Sequence, residues 1–288
     1  MLCKYCIMNK IKAIIFPDIH GRTFWKEPLK TFTKEKYPDI DIIFLGDYLD
    51  PYVSYDGISK EDAFINFEEI LDETKDDSRV TMLIGNHDWH YFVSLDNCRI
   101  DKAREKDIEY MFKDNISRFK LVKTLNINDT KYLFTHAGIT GEWLEYISKI
   151  GEKNIQLWNS EKNDIYDFYN SLSKLNKTHD FELLNKCLEN YDDHHYSDFP
   201  SMISRNRGGY YAYGSLIWAD VHEHLWTEKE LSDVYQIFGH TISYPDGYVS
   251  EYAISPEGLN FAMIDASQAF VLTEDNEILT YNEYININ

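Results

Sequence analysis

Ile42-Ile43-Phe44-Leu45-Gly46-Asp47-Tyr48-Leu49-Asp50 runs from an apolar, partly β-branched stretch straight into a glycine and two aspartates. Four other places repeat that change of character. Ala13 to Phe16 precedes Asp18-Ile19-His20-Gly21, and Thr81 to Ile84 precedes Gly85-Asn86-His87-Asp88. Tyr132 to Phe134 precedes Thr135-His136-Ala137-Gly138, and Gln236 to Phe238 precedes Gly239-His240-Thr241. Each apolar run reads as a buried strand, so the polar residues stand where strands end. That is where an open α/β sheet puts its ligands. Gly, Asp and Asn also favour strand-to-loop turns for their own sake, and one such segment alone reads as a turn. Five of them, every one bearing metal-ligating side chains, read as a two-metal phosphoesterase centre.

Hydrolysing a phosphate ester near neutral pH requires an activated water, compensation for charge on the phosphoryl oxygens, and help for the leaving alkoxide. Two divalent ions about 3.5–4 Å apart supply the first two. Such a pair needs a bridging carboxylate and oxygen or nitrogen ligands rather than thiolates. The five segments offer Asp18, His20, Asp47, Asn86, His136 and His240, with Asp47 central enough to bridge. His87 is left over and can serve as proton donor.

Taken together, Asp18-x-His20-Gly21, Gly46-Asp47-x-x-Asp50, Gly85-Asn86-His87-Asp88, His136-Ala137-Gly138 and Gly239-His240 resemble the calcineurin-like metallophosphoesterase superfamily over residues 13 to about 241. The forms Asp-Ile-His-Gly, Gly-Asp-Tyr-Leu-Asp and His-Ala-Gly are most similar to the branch of phosphoprotein phosphatases and diadenosine tetraphosphatases. In keeping with that branch, Ile242 follows Thr241 where other members carry a second histidine. The resemblance implies that Asp18, His20 and Asp47 bind one metal and that Asp47, Asn86, His136 and His240 bind the other. It implies His87 as general acid, oriented by Asp50, and a central β-sandwich flanked by helices. Two departures stand out. Protein phosphatases of this branch have an arginine directly after Gly-Asp-x-x-Asp, whereas Pro51-Tyr52 follows Asp50; and Pro17 replaces the usual glycine before the first aspartate.

Read without the resemblance, the order of segments gives an α/β fold with an antiparallel C-terminal part. Strands at 11 to 16, 41 to 45 and 80 to 84 alternate with helices at 22 to 34 and 59 to 75, which implies parallel strands with right-handed crossovers. Ser59 is placed to cap the second helix, whose Phe64, Phe67, Ile70 and Leu71 share one face. Residues 99 to 119 read as helical, 131 to 135 as a strand. The polar, Tyr- and Asn-rich segment 141 to 214 reads as an insertion over the catalytic face of a single domain spanning 1–288. Runs at Tyr248 to Ile254, Leu259 to Ile264, Phe270 to Thr273 and Ile278 to Tyr281 read as antiparallel strands.

Composition narrows the function. The 29 Lys and Arg against 49 Asp and Glu, a formal charge of −20, argue against nonspecific nucleic-acid binding. No run reaches the ~18 apolar residues of a membrane span, and the start lacks a signal peptide's apolar core, so a reducing cytoplasm is the expected compartment. Cys3-x-x-Cys6 has no second pair to complete a zinc site and reads as incidental; Cys98 and Cys187 stand apart from it.

The phosphate grip missing after Asp50 is assigned to Arg205 and Arg207 beside Gly208-Gly209, with Arg22 as a second candidate. His222-x-His224 reads as a surface pair, His90 as a neighbour of the site, Trp218 as a pocket wall, and the tyrosines of 191 to 213 as packing residues. The expected reaction is hydrolysis of a phosphomonoester by a metal-bridging hydroxide, with two divalent ions, Mn²⁺ first and Fe or Zn²⁺ as alternatives. The phosphorylated partner is a phosphoprotein (Ser/Thr phosphatase), a nucleotide or a small phosphate ester. Dinucleoside polyphosphate hydrolysis, phosphodiesterase activity and an inactive binding scaffold are the competing readings.

Overall fold

In β1 (Ile11–Phe16), alternate side chains face opposite ways and meet different partners. Ala13 and Ile15 pack in one buried cluster, Ile14 and Phe16 in another. The same division holds in β2 (Asp41–Phe44) and β3 (Val80–Leu83): Ile43 and Leu83 join Ala13, while Ile42, Phe44 and Met82 join Ile14. The first cluster is the filling between two stacked sheets; the second lies under helices. The computed structural model in which this is seen describes residues 10–93, 99–157, 164–229, 231–241 and 258–287.

The crossovers from β1 to β3 run through α1 (Lys26–Thr31), α2 (Val53–Asp56) and α3 (Lys60–Thr74). Ser59 caps α3 in a reciprocal box with Asp62, and Phe67, Ile70 and Leu71 are buried from it. Complete burial of a side chain of this size stabilises the fold by about 1.5–3 kcal/mol. After β3 come α4 (Asn86–Val93), α5 (Glu105–Asp114) and the short β4 (Phe119–Lys120). β5 (Lys123–Ile127) and β6 (Thr130–Phe134) form a hairpin in the second sheet. Then follow α6 (Gly141–Leu157), α7 (Asp164–Leu172), α8 (Leu175–Thr178), α9 (Lys186–Glu189), α10 (His194–Ser197) and α11 (Val221–Trp226). β7 (Tyr235–Phe238), β8 (Phe261–Met263), β9 (Phe270–Thr273), β10 (Ile278–Thr280) and α12 (Tyr281–Ile287) complete the described chain.

One sheet has the order β10-β9-β1-β2-β3-β4 and the other β5-β6-β7-β8. β1 to β4 are parallel, and β9 and β10 add an antiparallel edge. This is a mixed α/β architecture of two sheets flanked by helices, as expected. Among the described residues, no helix is long and apolar enough to cross a membrane.

Several expectations need correcting. The helix expected over 22 to 34 is confined to α1, because Gly21 and Arg22 are held in a turn: Gly21 N donates to Tyr48 O (3.0 Å) and Arg22 N to Ile19 O (2.8 Å). Of 99 to 119 only α5 and one 3₁₀ turn are helical, and Phe119 already belongs to β4. β8 pairs in parallel with β7, not antiparallel, since the connection at 239–260 is long enough for a crossover. Tyr281 leaves the last strand to start α12, where Thr280 and Glu283 bond reciprocally. The strand expected at Tyr248 to Ile254, and Cys3, Cys6, Cys98 and Ile242, lie outside the described residues.

Candidate active site

The turns after β1, β2 and β3 of one sheet meet those after β6 and β7 of the other, so the site lies along an edge that two stacked sheets share rather than on one open sheet. Short-range bonds lock the turns together. His20 N donates to Asp47 O (2.6 Å), Gly239 N to His136 O (2.8 Å), and His240 N reaches both Asp18 carboxylate oxygens at 3.1 Å. Two glycines leave room for carboxylates: a Cβ on residue 85 would lie 2.1 Å from Asp47 Oδ1, and one on residue 239 would lie 2.0 Å from Asp18 Oδ1. His20, Asp47, Asp50 and His240 have φ of 44°, 52°, 56° and 66°, four of the seven non-glycine positive-φ residues described. Each such residue costs about 1–2 kcal/mol, and such strain concentrates at functional sites.

Two groups of side chains, Asp18 with His20 and Asp47, and Asp47 with His136 and His240, each bring their ligand atoms within 4.8 Å of one another. Asp47 belongs to both. His20 Nδ1 lies 2.8 Å from Leu49 O and His136 Nδ1 lies 2.9 Å from Leu45 O. A carbonyl only accepts, so in each neutral ring Nδ1 carries the proton and Nε2 presents a lone pair. Those Nε2 atoms stand 3.4 and 3.5 Å from Asp47 Oδ2. His136 Nε2 also stands 3.0 Å from Asn86 Oδ1 and 3.1 Å from His240 Nδ1. Oxygen and nitrogen ligand atoms gathered this closely could hold a divalent cation.

Burial, reinforced by the nearby Asp18 charge, pushes the Asp47 carboxyl up to about 7, with the His136 imidazole pulling the other way. Burial likewise lowers His20 and His240 well below the ordinary histidine range. A cation at the cluster would favour the metal-ligating form of each group.

Beside the cluster, His87 Nδ1 lies 3.0 Å from Asp50 Oδ2. Asp50 Oδ1 accepts from Tyr91 OH at 2.7 Å, and that hydroxyl accepts from Asp101 N at 3.1 Å. The His87 imidazole is therefore held through three further residues, with Nε2 as the ring nitrogen left for other contacts. Arg99 Nη2 touches that Nε2, and its guanidinium carbon sits 3.7 Å over the Tyr52 ring. Burial and the Arg99 charge keep His87 well below the ordinary histidine range.

A cavity of about 490 Å³ opens onto the cluster, with His90, Arg99, Ile203, Arg207 and Trp218 in its wall. A larger hollow of about 750 Å³ between α1 and α3 borders none of the candidate ligands. Its charged walls include the Lys26–Glu69 ion pair, so the chemistry belongs to the smaller cavity.

Of the expected phosphate-binding arginines, Arg207 reaches the cavity. Its Nε lies 2.9 Å from Asp220 Oδ2, and Nη2 bonds Thr241 Oγ1 and, at 3.4 Å, His240 O. Arg205 is exposed and outside the cavity wall, and Arg22 is bonded to Asp56 (2.9 Å) and to Asp18 O (3.3 Å). His222 is half-exposed as expected, but His224 is not a surface residue. α11 turns it inward, where Nε2 donates to Ala137 O at 3.0 Å and the ring stacks on Phe238. Tyr191 and Tyr196 pack against Phe92 and Phe168, whereas Tyr210 is exposed.

The sequence reading missed four residues here. Asp88 accepts three backbone N–H bonds beneath the cluster. Tyr91 holds Asp50. Asp265, just after β8, is buried close enough to Asp18 for the two carboxylates to repel. Arg99 has no motif around it; the missing arginine after Asp50 was the available hint.

The chain belongs to the calcineurin-like phosphoesterase family, whose model matches residues 11–244. No curated protein matches the chain in sequence. Among solved structures it is similar to a protein serine/threonine phosphatase from Saccharomyces cerevisiae with similarity to human phosphatase PP5. That likeness has 19% identity and a TM-score of 0.30, covering 47% of this chain and 40% of the other.

Proposed function

We propose that this protein hydrolyses phosphomonoesters at a dinuclear metal centre held by Asp18, His20, Asp47, Asn86, His136 and His240, with Mn²⁺ the preferred metal. The observation that carries the reading is the position of Asp47 in both ligand groups, Oδ2 facing His20 Nε2 at 3.4 Å and His136 Nε2 at 3.5 Å. Bound ions supply an activated water and offset phosphoryl charge. His87, whose Nδ1 faces Asp50, takes up a proton at Nε2 in place of the Arg99 contact and passes it to the leaving oxygen; Asp50 fixes the ring, and Tyr91 fixes Asp50. Arg207, braced by Asp220, borders the substrate, while Arg22 and Arg205 lie outside the cavity wall.

Residues 1–288 are read as one metallophosphoesterase domain with 141–214 as its cap. One buried cluster running from Ile11 to Tyr284 through Trp143, Phe168 and Phe181 supports this, as does the placement of Ile203, Arg207 and Gly208 in the cavity wall. A phosphorylated Ser/Thr protein is one substrate class. Pro51-Tyr52 in place of the phosphatase arginine favours a second, a nucleotide or dinucleoside polyphosphate.

Phosphate release by the Mn²⁺-loaded protein, screened over phosphopeptides, nucleotides, dinucleoside polyphosphates and bis-p-nitrophenyl phosphate, tests the proposal. Turnover of at least one monoester class above the diester is expected. Turnover of none overturns it.

A further inference from the structure

Pro51 follows Asp50 directly, where the chain lacks an arginine, and a guanidinium from elsewhere in the chain sits over the next residue, Tyr52. Arg99 comes from the segment between α4 and α5, and its guanidinium carbon sits over the Tyr52 ring, 3.7 Å from its centroid. The Tyr52 ring in turn meets the His20 ring edge-on at 5.1 Å. Both Tyr52 and Arg99 line the cavity that contains Asp18, Asp47 and His240. We propose that Arg99, seated on Tyr52, grips the non-bridging phosphoryl oxygens of a dianionic phosphomonoester on its leaving-group side, and so favours monoesters over diesters. The inference rests on the phosphoesterase reading and names the substrate class within it.

Three features carry it. First, His87 Nδ1 is engaged by Asp50 and Nε2 accepts from Arg99 Nη2, so the guanidinium must turn from Nε2 toward the phosphoryl group when Nε2 takes up the proton for a leaving oxygen. A phosphoryl group whose leaving oxygen faces Nε2 has a neighbouring oxygen within reach of the same guanidinium. Second, a guanidinium whose carbon sits over an aromatic ring can still direct two N–H groups from its own edge to a phosphate as parallel bonds. A monoester dianion offers more unesterified oxygen and charge to that fork than a singly charged diester. Third, Arg207 is differently committed: its guanidinium is tied to Asp220, Thr241 and the His240 carbonyl. It braces the turn that presents His240, whereas Arg99 lies against the proton donor itself.

The bland alternative is that Arg99 merely offsets the carboxylates around it. The test uses the full chain loaded with Mn²⁺, comparing wild type with Arg99→Ala, Arg99→Lys, Tyr52→Phe and Tyr52→Leu. Four quantities are read: kcat/KM for p-nitrophenyl phosphate, kcat/KM for bis-p-nitrophenyl phosphate, inhibition by inorganic phosphate, and manganese per chain. Loss of a bidentate charged contact should lower Arg99→Ala by roughly tenfold or more on the monoester and weaken phosphate inhibition comparably, with a clearly smaller effect on the diester. Manganese content should stay at the wild-type value. Arg99→Lys should recover part of the loss, Tyr52→Phe nearly all, and Tyr52→Leu little. Equal losses on both esters, unchanged phosphate inhibition, or manganese lost from Arg99→Ala would overturn the proposal. Should the wild type hydrolyse no ester, the phosphoesterase reading fails separately. Calorimetric titration of the Mn²⁺-loaded proteins with phosphate then decides the grip, which is overturned if wild type and Arg99→Ala bind it equally.

Discussion

Asp88 lies directly beneath Asp47, its Oδ2 accepting the Asp47 backbone N–H at 2.7 Å. The same oxygen accepts Gly85 N at 2.9 Å, and Oδ1 accepts Tyr48 N at 3.0 Å. One fully buried carboxylate thus ties the turn after β2 to the turn after β3. Asp88→Ala strands three buried donors and should destabilise the protein by about 2–4 kcal/mol, since each unsatisfied group costs about 1–3 kcal/mol before relaxation. Asp88→Asn, which keeps one acceptor, should lose less. Urea denaturation measures both, and an unchanged midpoint for Asp88→Ala contradicts the role.

His87→Asn should lower kcat by about 10²–10⁴, the usual contribution of a positioned general acid. The deficit should be large for an alkyl phosphate and small for p-nitrophenyl phosphate, whose leaving group needs no proton. Tyr91→Phe, which releases one side of Asp50, should show the same leaving-group dependence in weaker form. Equal deficits on the two substrates would rule out a proton-donating His87.

Burial lowers the His224 imidazole from 6.5 to about 4. The folded state therefore holds it neutral while the unfolded chain takes up a proton below about pH 6.5. Stability from this group is present above that pH and is lost as pH falls toward 4. At about 1.4 kcal/mol per unit, the stability of wild type relative to His224→Gln should fall by about 3 kcal/mol between pH 7 and 4. Denaturant titrations of both proteins across that range give the difference directly. A difference constant with pH means that His224 is not held neutral by burial.

The strand ends were readable in the sequence because an apolar run followed by Gly, Asp, Asn or His is a local signal. The turns it marks after β1, β2, β3, β6 and β7 are the ones that converge. That they belong to two sheets was less readable, since parallel pairing of β7 with β8 depends on the long 239–260 connection and not on alternation within either strand. His224 was misread because His222-x-His224 lies in a polar stretch, and only the direction of α11 sends one histidine out and the other under Gly138. Arg99 was invisible for a similar reason: Tyr52 and Arg99 are separated by α3 and β3, and no pattern along the chain links an aromatic ring to a cation that folding lays upon it.

The central claim is that Asp47 is shared between two metal ions, and manganese content with activity tests it most directly. Chelator-stripped wild type, Asp47→Asn and Asn86→Ala are to be reloaded with Mn²⁺ and assayed for bound metal and for p-nitrophenyl phosphate hydrolysis at pH 8 and pH 6. Because a proton competes for Asp47, held up to about 7 without metal, wild-type loading should be weaker at pH 6. Asp47→Asn should retain much less metal than Asn86→Ala and no measurable activity. Two manganese ions per chain in Asp47→Asn, or hydrolysis near the wild-type rate, would contradict the account.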